Sequence, residues 1–411
     1  MSRIFGDSKQ KFSMGGLINV PDHLRKLDEQ AFTPLLISIG PIHLSNAKLQ
    51  TMKKVKVQFC DCFIERAKID LEDLLRTIKD LEKDIRSYYA ETTLSSDEFV
   101  MMIVVDGIFI LEYLLRQYIP SLEKKDPMIP KWMPPILKFD LLLLENQLPF
   151  FVLELLFLHE KFWDELESSK PSLKELAFNF FQCYNFQKID NRQSYPKIEH
   201  FTDLVRSFYL SERLPTRSSG QAKLLYSATQ LHEAGVKLKG VKVDERMEFE
   251  GELRRFLDIR FDNGVLEIPC IKLNDERVRL IRNIIALEQS HYVGDAYVTD
   301  FFVILDFLID NSKDVDLLCD KGILINYLGD NNTAALAINS LNTHILWDLM
   351  NPEYSKICED LNAFYKKLWH RWRATLWRQY FSTPWRATST SAAIILLVLT
   401  AIQTVCSLKS T

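Results

Sequence analysis

Apolar positions along the chain gather into three long runs, and the polar residues inside each run decide what it can be. "FVMMIVVDGIFILEYLLRQYI" (99–119) carries Asp106, Glu112 and Arg116, and "DLLLLENQLPFFVLELLF" (140–157) carries Asp140, Glu145 and Glu154. Each such charge costs about 2.5–3.5 kcal/mol at a bilayer centre, so both runs are expected in a protein core. In the first, Glu112 and Arg116 stand in the i,i+4 order that supports a helix. In the second, Pro149 removes a donor and biases Leu148 away from helix, giving two half-segments joined by Glu145, Asn146 and Gln147. The third run, "SAAIILLVLTAIQTVCSL" (391–408), holds no ionisable group except the Cys406 thiol. Its about 18 residues would reach roughly 27 Å as a helix, which predicts one C-terminal transmembrane helix.

Between the runs the pattern is helical up to about residue 210. Leu71, Leu74, Ile78, Leu81, Ile85 and Tyr88 recur at three- and four-residue steps. That seam lasts under three heptads and predicts a helix packed within its own domain. A polar, breaker-rich loop (211–223) follows, and then the period becomes alternating. In "FLDIRFDNGVLEIPCIKL" (256–273), Asn263-Gly264 signals a type I′ hairpin. A two-residue loop there pairs Phe261 with Leu266, Ile259 with Ile268 and Leu257 with Cys270 on one face, and Arg260 with Glu267 on the other. Residues 277–289, 299–309, 314–328 and 333–341 read as short helices, with stops at Gly322 and Gly329. The fold class predicted is mainly α: a multi-helix globular domain with a small β-hairpin element and one C-terminal transmembrane helix. The expected division is an N-terminal leader (1–30), a helical domain (31–384) containing the hairpin region (236–273), and a C-terminal anchor (385–411).

Composition narrows the function. A net charge of −4 over 411 residues, 26% of them charged, supplies no basic field for nucleic acid. Seven scattered cysteines form neither a disulfide framework nor zinc knuckles, which points to reduced thiols. The first 16 residues hold no signal-peptide core. Ahead of the third run, Trp369, Trp372, Trp377 and Trp385 alternate with Arg371, Arg373, Arg378 and Arg386. This is a membrane-interface composition, and its positive charge N-terminal to the run is expected to keep the large domain cytosolic on a single-pass tether.

Catalytic signatures do not emerge. Gly15-Gly16 and Gly40-Pro41 lack the spacing of a phosphate loop. His159-Glu160 and His232-Glu233 begin like a zincin, but Trp163 and Val236 stand where the second histidine belongs. No cofactor or metal is therefore expected. What remains is a set of acids and amides inside apolar helices: Asp106, Glu112, Glu145, Asn146, Gln147, Glu288 and Gln289. Buried, they need partners: each other, main-chain amides freed near Pro149, or arginines such as Arg282. They read as a structural polar network. Two of them converging as a general acid–base pair is the catalytic alternative.

The segments "TPLLISIGPIH" (33–43), "MIVVDGIFILEYLL" (102–115), "FDLLLLENQLPFFVLELLF" (139–157), "SATQLHEAGVKLK" (227–239), "FLDIRFDNGVLEIP" (256–269), "NIIALEQ" (283–289), "DVDLLCDKGILINYLG" (314–329) and "YFSTPWRATST" (380–390) resemble, in order, the plant family called domain of unknown function 247. The resemblance implies a largely helical domain with a small β element, a C-terminal membrane helix and no established enzyme activity. It carries over no functional residue. His43 and His232 fall in its motifs as lone, structural histidines. The expected function is a membrane-tethered recognition or signalling module with an unknown protein partner, against a hydrolase-type enzyme built on the buried carboxylates.

Overall fold

The computed structural model describes residues 18–89, 92–119, 122, 129–158, 171–185, 187, 189, 197–210, 215–218, 223–241, 256–345, 349–367, 385, 388–389, 392–393 and 395–400. Its centre is the helix Ser96–Tyr118, which contains the first apolar run and is buried on nearly every face. A helix apolar all round must be wrapped by others. Ser95 and Glu98 start it with a reciprocal capping box. Met52–Ala67, Leu71–Asp80, Phe150–Leu158 and Leu173–Phe180 pack around it. The seam predicted over 71–88 is broken at Leu81 into Leu71–Asp80 and Glu82–Arg86, and Leu74, Ile78 and Ile85 are fully buried.

The second run divides as Pro149 predicts. Met133–Asp140 and Phe150–Leu158 are helices, and residues 141–149 between them form a buried, non-helical joint. Within the C-terminal half, the helices Asp275–His291, Tyr297–Leu308 and Asn331–Leu341 pack together, with Ser312–Asp320 against the last of them. A large hydrophobic core runs through both halves. A smaller one joins Val20, Leu24, Ala31 and Phe32 to Leu144 of the joint and Ala286 and Leu287 of Asp275–His291.

Two small sheets complete the fold. In the first, β1 (Lys237–Val241), β2 (Arg260–Asp262) and β3 (Val265–Pro269) lie in the order β1-β3-β2. The hairpin register is the predicted one, with Arg260 opposite Glu267 and Phe261 opposite Leu266. Asn263 and Gly264 both take positive φ, at 48° and 77°, as a type I′ turn requires. The ladder ends there; Ile259–Ile268 and Leu257–Cys270 are not part of it. β1 pairs parallel with β3, and in the second sheet β4 (Ile271–Leu273) pairs parallel with β5 (Leu324–Asn326). The stretch read as one helix over 314–328 is therefore a helix to Asp320, a turn through Gly322 and a strand.

The predicted transmembrane helix is corrected. Among the described residues no helix is long and apolar enough to cross a membrane. Of 391–408, residues 392–393 and 395–400 are described, and they are helical. With the span goes the support for a single-pass tether and for the orientation built on it. Of the interfacial set, Trp385 is exposed, while Trp369, Arg371, Trp372, Arg373, Trp377, Arg378 and Arg386 lie outside the described residues.

Candidate functional site

The polar residues of the second run sit where its helix stops, and the chain's N-terminal segment threads past them. Asp140 ends its helix with both carboxylate oxygens turned onto consecutive main-chain donors: Leu35 at 2.9 Å, Leu36 at 2.7 Å and Ile37 at 3.0 Å. Asn146 continues the row. Its side-chain oxygen accepts from Ile39 N at 2.7 Å, and its amide donates to the carbonyls of Ile37 and Asp140. Asp106, on the central helix, takes the next donor, Gly40 N, at 2.8 Å. Lys56 bridges Asp106 to the Ser38 carbonyl. Residues 35–40 thus receive the hydrogen bonds of a strand from side chains instead of a sheet. Gly40 has φ +71° there, and a Cβ would lie 3.0 Å from the Gln147 carbonyl oxygen.

Glu145 and Gln147 extend the clasp at either end. One Glu145 oxygen accepts from Val20 N at 3.0 Å and pairs with Arg25. The other faces His43 Nε2 at 4.0 Å. Gln147 donates to the carbonyls of Leu141 and Leu143 and accepts from Phe201 N, closing the joint on itself and on the helix Phe201–Ser207. Burial raises the carboxyl pKa of Asp106, Asp140 and Glu145. Lys56, the main-chain donors and Arg25, respectively, oppose that rise. Burial and then Arg25 pull the His43 imidazole down to about 4, so it is neutral near pH 7.

The remaining predicted acids stand apart, each with its own partners. Glu112 is held between Arg66 at 2.6 Å and Arg116 at 2.8 Å. Glu288 accepts from Arg206 Nε at 2.9 Å and from the Thr299 amide and hydroxyl at 2.8 and 2.7 Å. Gln289 beside it is half-buried. The acids were expected to meet one another, main-chain amides near Pro149 or arginines such as Arg282; their partners are other arginines, Lys56 and main-chain amides, and Arg282 itself pairs with Asp28.

Sequence reading missed several members. Asp300 is gripped by both arms of Arg217, at 2.8 and 2.6 Å, and accepts from Asn351 N. Burial pushes the Asp300 carboxyl up to about 6 against Arg217. Asp314 gathers Ser227, Thr229 N, Asp310 N and Asn311 N. Asp300 carries the same signal as the others, an acid inside an apolar stretch, whereas Asp314 stands among Asn311, Ser312, Lys313 and Asp316 and carries none. Arg217 carries none, because it stands in the breaker-rich loop. No three or more His, Cys, Asp or Glu residues group to hold a metal ion among the described residues.

A helical fold whose buried acids and amides bind main chain and cations defines a class of protein with its polar groups committed to architecture. The comparisons with known proteins agree on where it belongs. The family model for domain of unknown function 247, described as a plant protein of unknown function, matches residues 17–399, and the chain belongs to that family. It is 28% identical to UPF0481 protein At3g47200 of Arabidopsis thaliana over 96% of this chain and 86% of the relative. A second relative from that plant, UPF0481 protein At3g02645, is 20% identical over 94% of this chain and 89% of its own length. No solved structure matches.

Proposed function

We propose that this protein is a non-enzymatic interaction module, a rigid helical body that meets a protein partner through its surface. The observation that supports this is the engagement of the acids. A general acid or base needs an oxygen directed at a substrate, whereas Asp106, Asp140, Glu112, Glu288 and Asp300 direct theirs at lysine, arginine and main-chain N–H groups. The surface offers candidates for contact instead: Tyr327 beyond β5 and Leu336 on Asn331–Leu341 are 62% and 70% exposed. Tyrosine is among the residues enriched at interface hot spots.

The test is a partner-capture experiment on the full chain with Tyr327→Ser/Leu336→Ser beside the wild type. The expected result is a specific partner bound by the wild type and lost by the variant, with equal melting temperatures. The hydrolase alternative predicts something else: a hydrolytic turnover that disappears in Asp106→Asn or Glu288→Gln while the fold persists. Observing that would overturn the proposal.

A further inference from the structure

Asn263-Gly264 is the only asparagine–glycine pair in the chain, and the fold holds it at the tip of the hairpin between β2 and β3. Asn263 is exposed, and its side-chain amide donates to Asp262 Oδ2 at 2.8 Å. The Gly264 carbonyl accepts from Lys237 N at 2.8 Å. Phe364 braces the turn from one side: a Cβ at position 264 would lie 3.1 Å from its ring, and that ring packs edge-on against Phe261 at 5.8 Å. β2 itself is three residues long and stands at the end of the order β1-β3-β2. A strand so short and so placed opens more readily than the helical core.

Glycine after asparagine leaves its main-chain nitrogen unscreened by a Cβ and free to turn, which suits it to attack the side chain before it. We propose that Asn263 is a self-modifying site, converting to aspartate and isoaspartate through a cyclic imide when the hairpin end opens. Hydroxide removes the Gly264 N–H proton, and the nitrogen attacks Asn263 Cγ. The Cγ–Nδ2 bond then breaks, and the side-chain nitrogen leaves as ammonia with a proton from water. Water opens the resulting ring at either carbonyl. Cleavage between the Gly264 nitrogen and Cγ gives aspartate, whereas cleavage between that nitrogen and the main-chain carbonyl carbon of residue 263 gives isoaspartate, whose chain runs through Cγ. Net, one water is consumed and one ammonia released. Either product sets a second carboxylate beside Asp262 in place of the hydrogen bond. Isoaspartate also adds a carbon to the main chain, which a two-residue turn does not absorb, so the register of Phe261 with Leu266 and Arg260 with Glu267 is lost. The site is independent of the protein-partner reading.

Peptide mapping by mass spectrometry of the full chain held at pH 8, with fragmentation that separates aspartate from isoaspartate, tests it. Residue 263 should exchange its amide for an acid at least about fivefold faster than Asn311 and Asn339, the asparagines followed by serine, whose Cβ screens the attacking nitrogen. Isoaspartate should be among its products. Phe364→Ala, which removes the brace, should at least about double the rate at residue 263 relative to Asn311 and Asn339. The proposal is overturned if residue 263 reacts no faster than those asparagines, if aspartate forms there without isoaspartate, or if Phe364→Ala fails to raise its rate relative to theirs.

Discussion

At Glu145, one carboxylate replaces water for a main-chain amide and an arginine at once, and its removal orphans both. Buried unsatisfied groups cost about 1–3 kcal/mol each, so Glu145→Ala is expected to lower unfolding stability by more than about 2 kcal/mol, read by urea denaturation. A variant that melts like the wild type would remove the acid from the structural set. His43, opposite, gives a pH signature of known sign. Its folded pKa, about 4, lies below the 6.5 of the free side chain. Its contribution is therefore fully present above 6.5 and is lost as pH falls from 6.5 toward 4. His43→Gln should flatten that part of the stability–pH curve, and an unchanged slope would show that the ring protonates freely in the fold. Much of this scale was visible in the sequence. An acid or amide inside an apolar run announces burial, which marked Asp106, Glu112, Glu145, Asn146, Gln147 and Glu288. The i,i+4 spacing brought Glu112 beside Arg116, but distant partners were not visible, because Leu35–Ile37 meet Asp140 across more than a hundred residues.

Among elements, Arg217 shows how a loop is fixed. It reaches Asp300 on Tyr297–Leu308 and the Val293 and Leu349 carbonyls, tying residues 215–218 to two later parts of the chain. Breaking a buried pair from one side typically costs about 3–5 kcal/mol. Arg217→Met should approach that loss at pH 8 and cost less at pH 4. The sign follows from Asp300, whose pKa is raised to about 6 in the fold. Below that value the carboxyl is protonated and needs no cation; above it, the variant must bury an unpaired charge or take up a proton. Urea midpoints at the two pH values check this, and an equal cost at both would mean the charge of Asp300 does not matter. Local elements were the readable ones at this scale. The Asn263-Gly264 hairpin came out in register because turn chemistry is contained in adjacent residues. The parallel pairing of β1 with β3 and of β4 with β5 did not, since those partners are brought together only by the intervening fold. Leu324–Asn326 looked helical for the same reason.

Over the whole molecule, the predicted mainly helical body agrees with the structure and the C-terminal transmembrane helix does not. Hydropathy measures what a stretch would tolerate, and among the described residues no helix is long and apolar enough to cross a membrane. The buried carboxylates of Asp106, Asp140 and Glu145 clasp the main chain at Val20, Leu35–Ile37 and Gly40 onto the central helix and the joint. Hydrogen exchange of the Leu35, Leu36 and Ile37 amides in Asp140→Ala, compared with wild type, tests it most directly. The three amides should lose protection together, by on the order of tenfold or more for each about 1.4 kcal/mol of clasp stability removed, while amides in the middle of Ser96–Tyr118 lose less. Unchanged protection at Leu35–Ile37 in a folded Asp140→Ala protein would contradict the account.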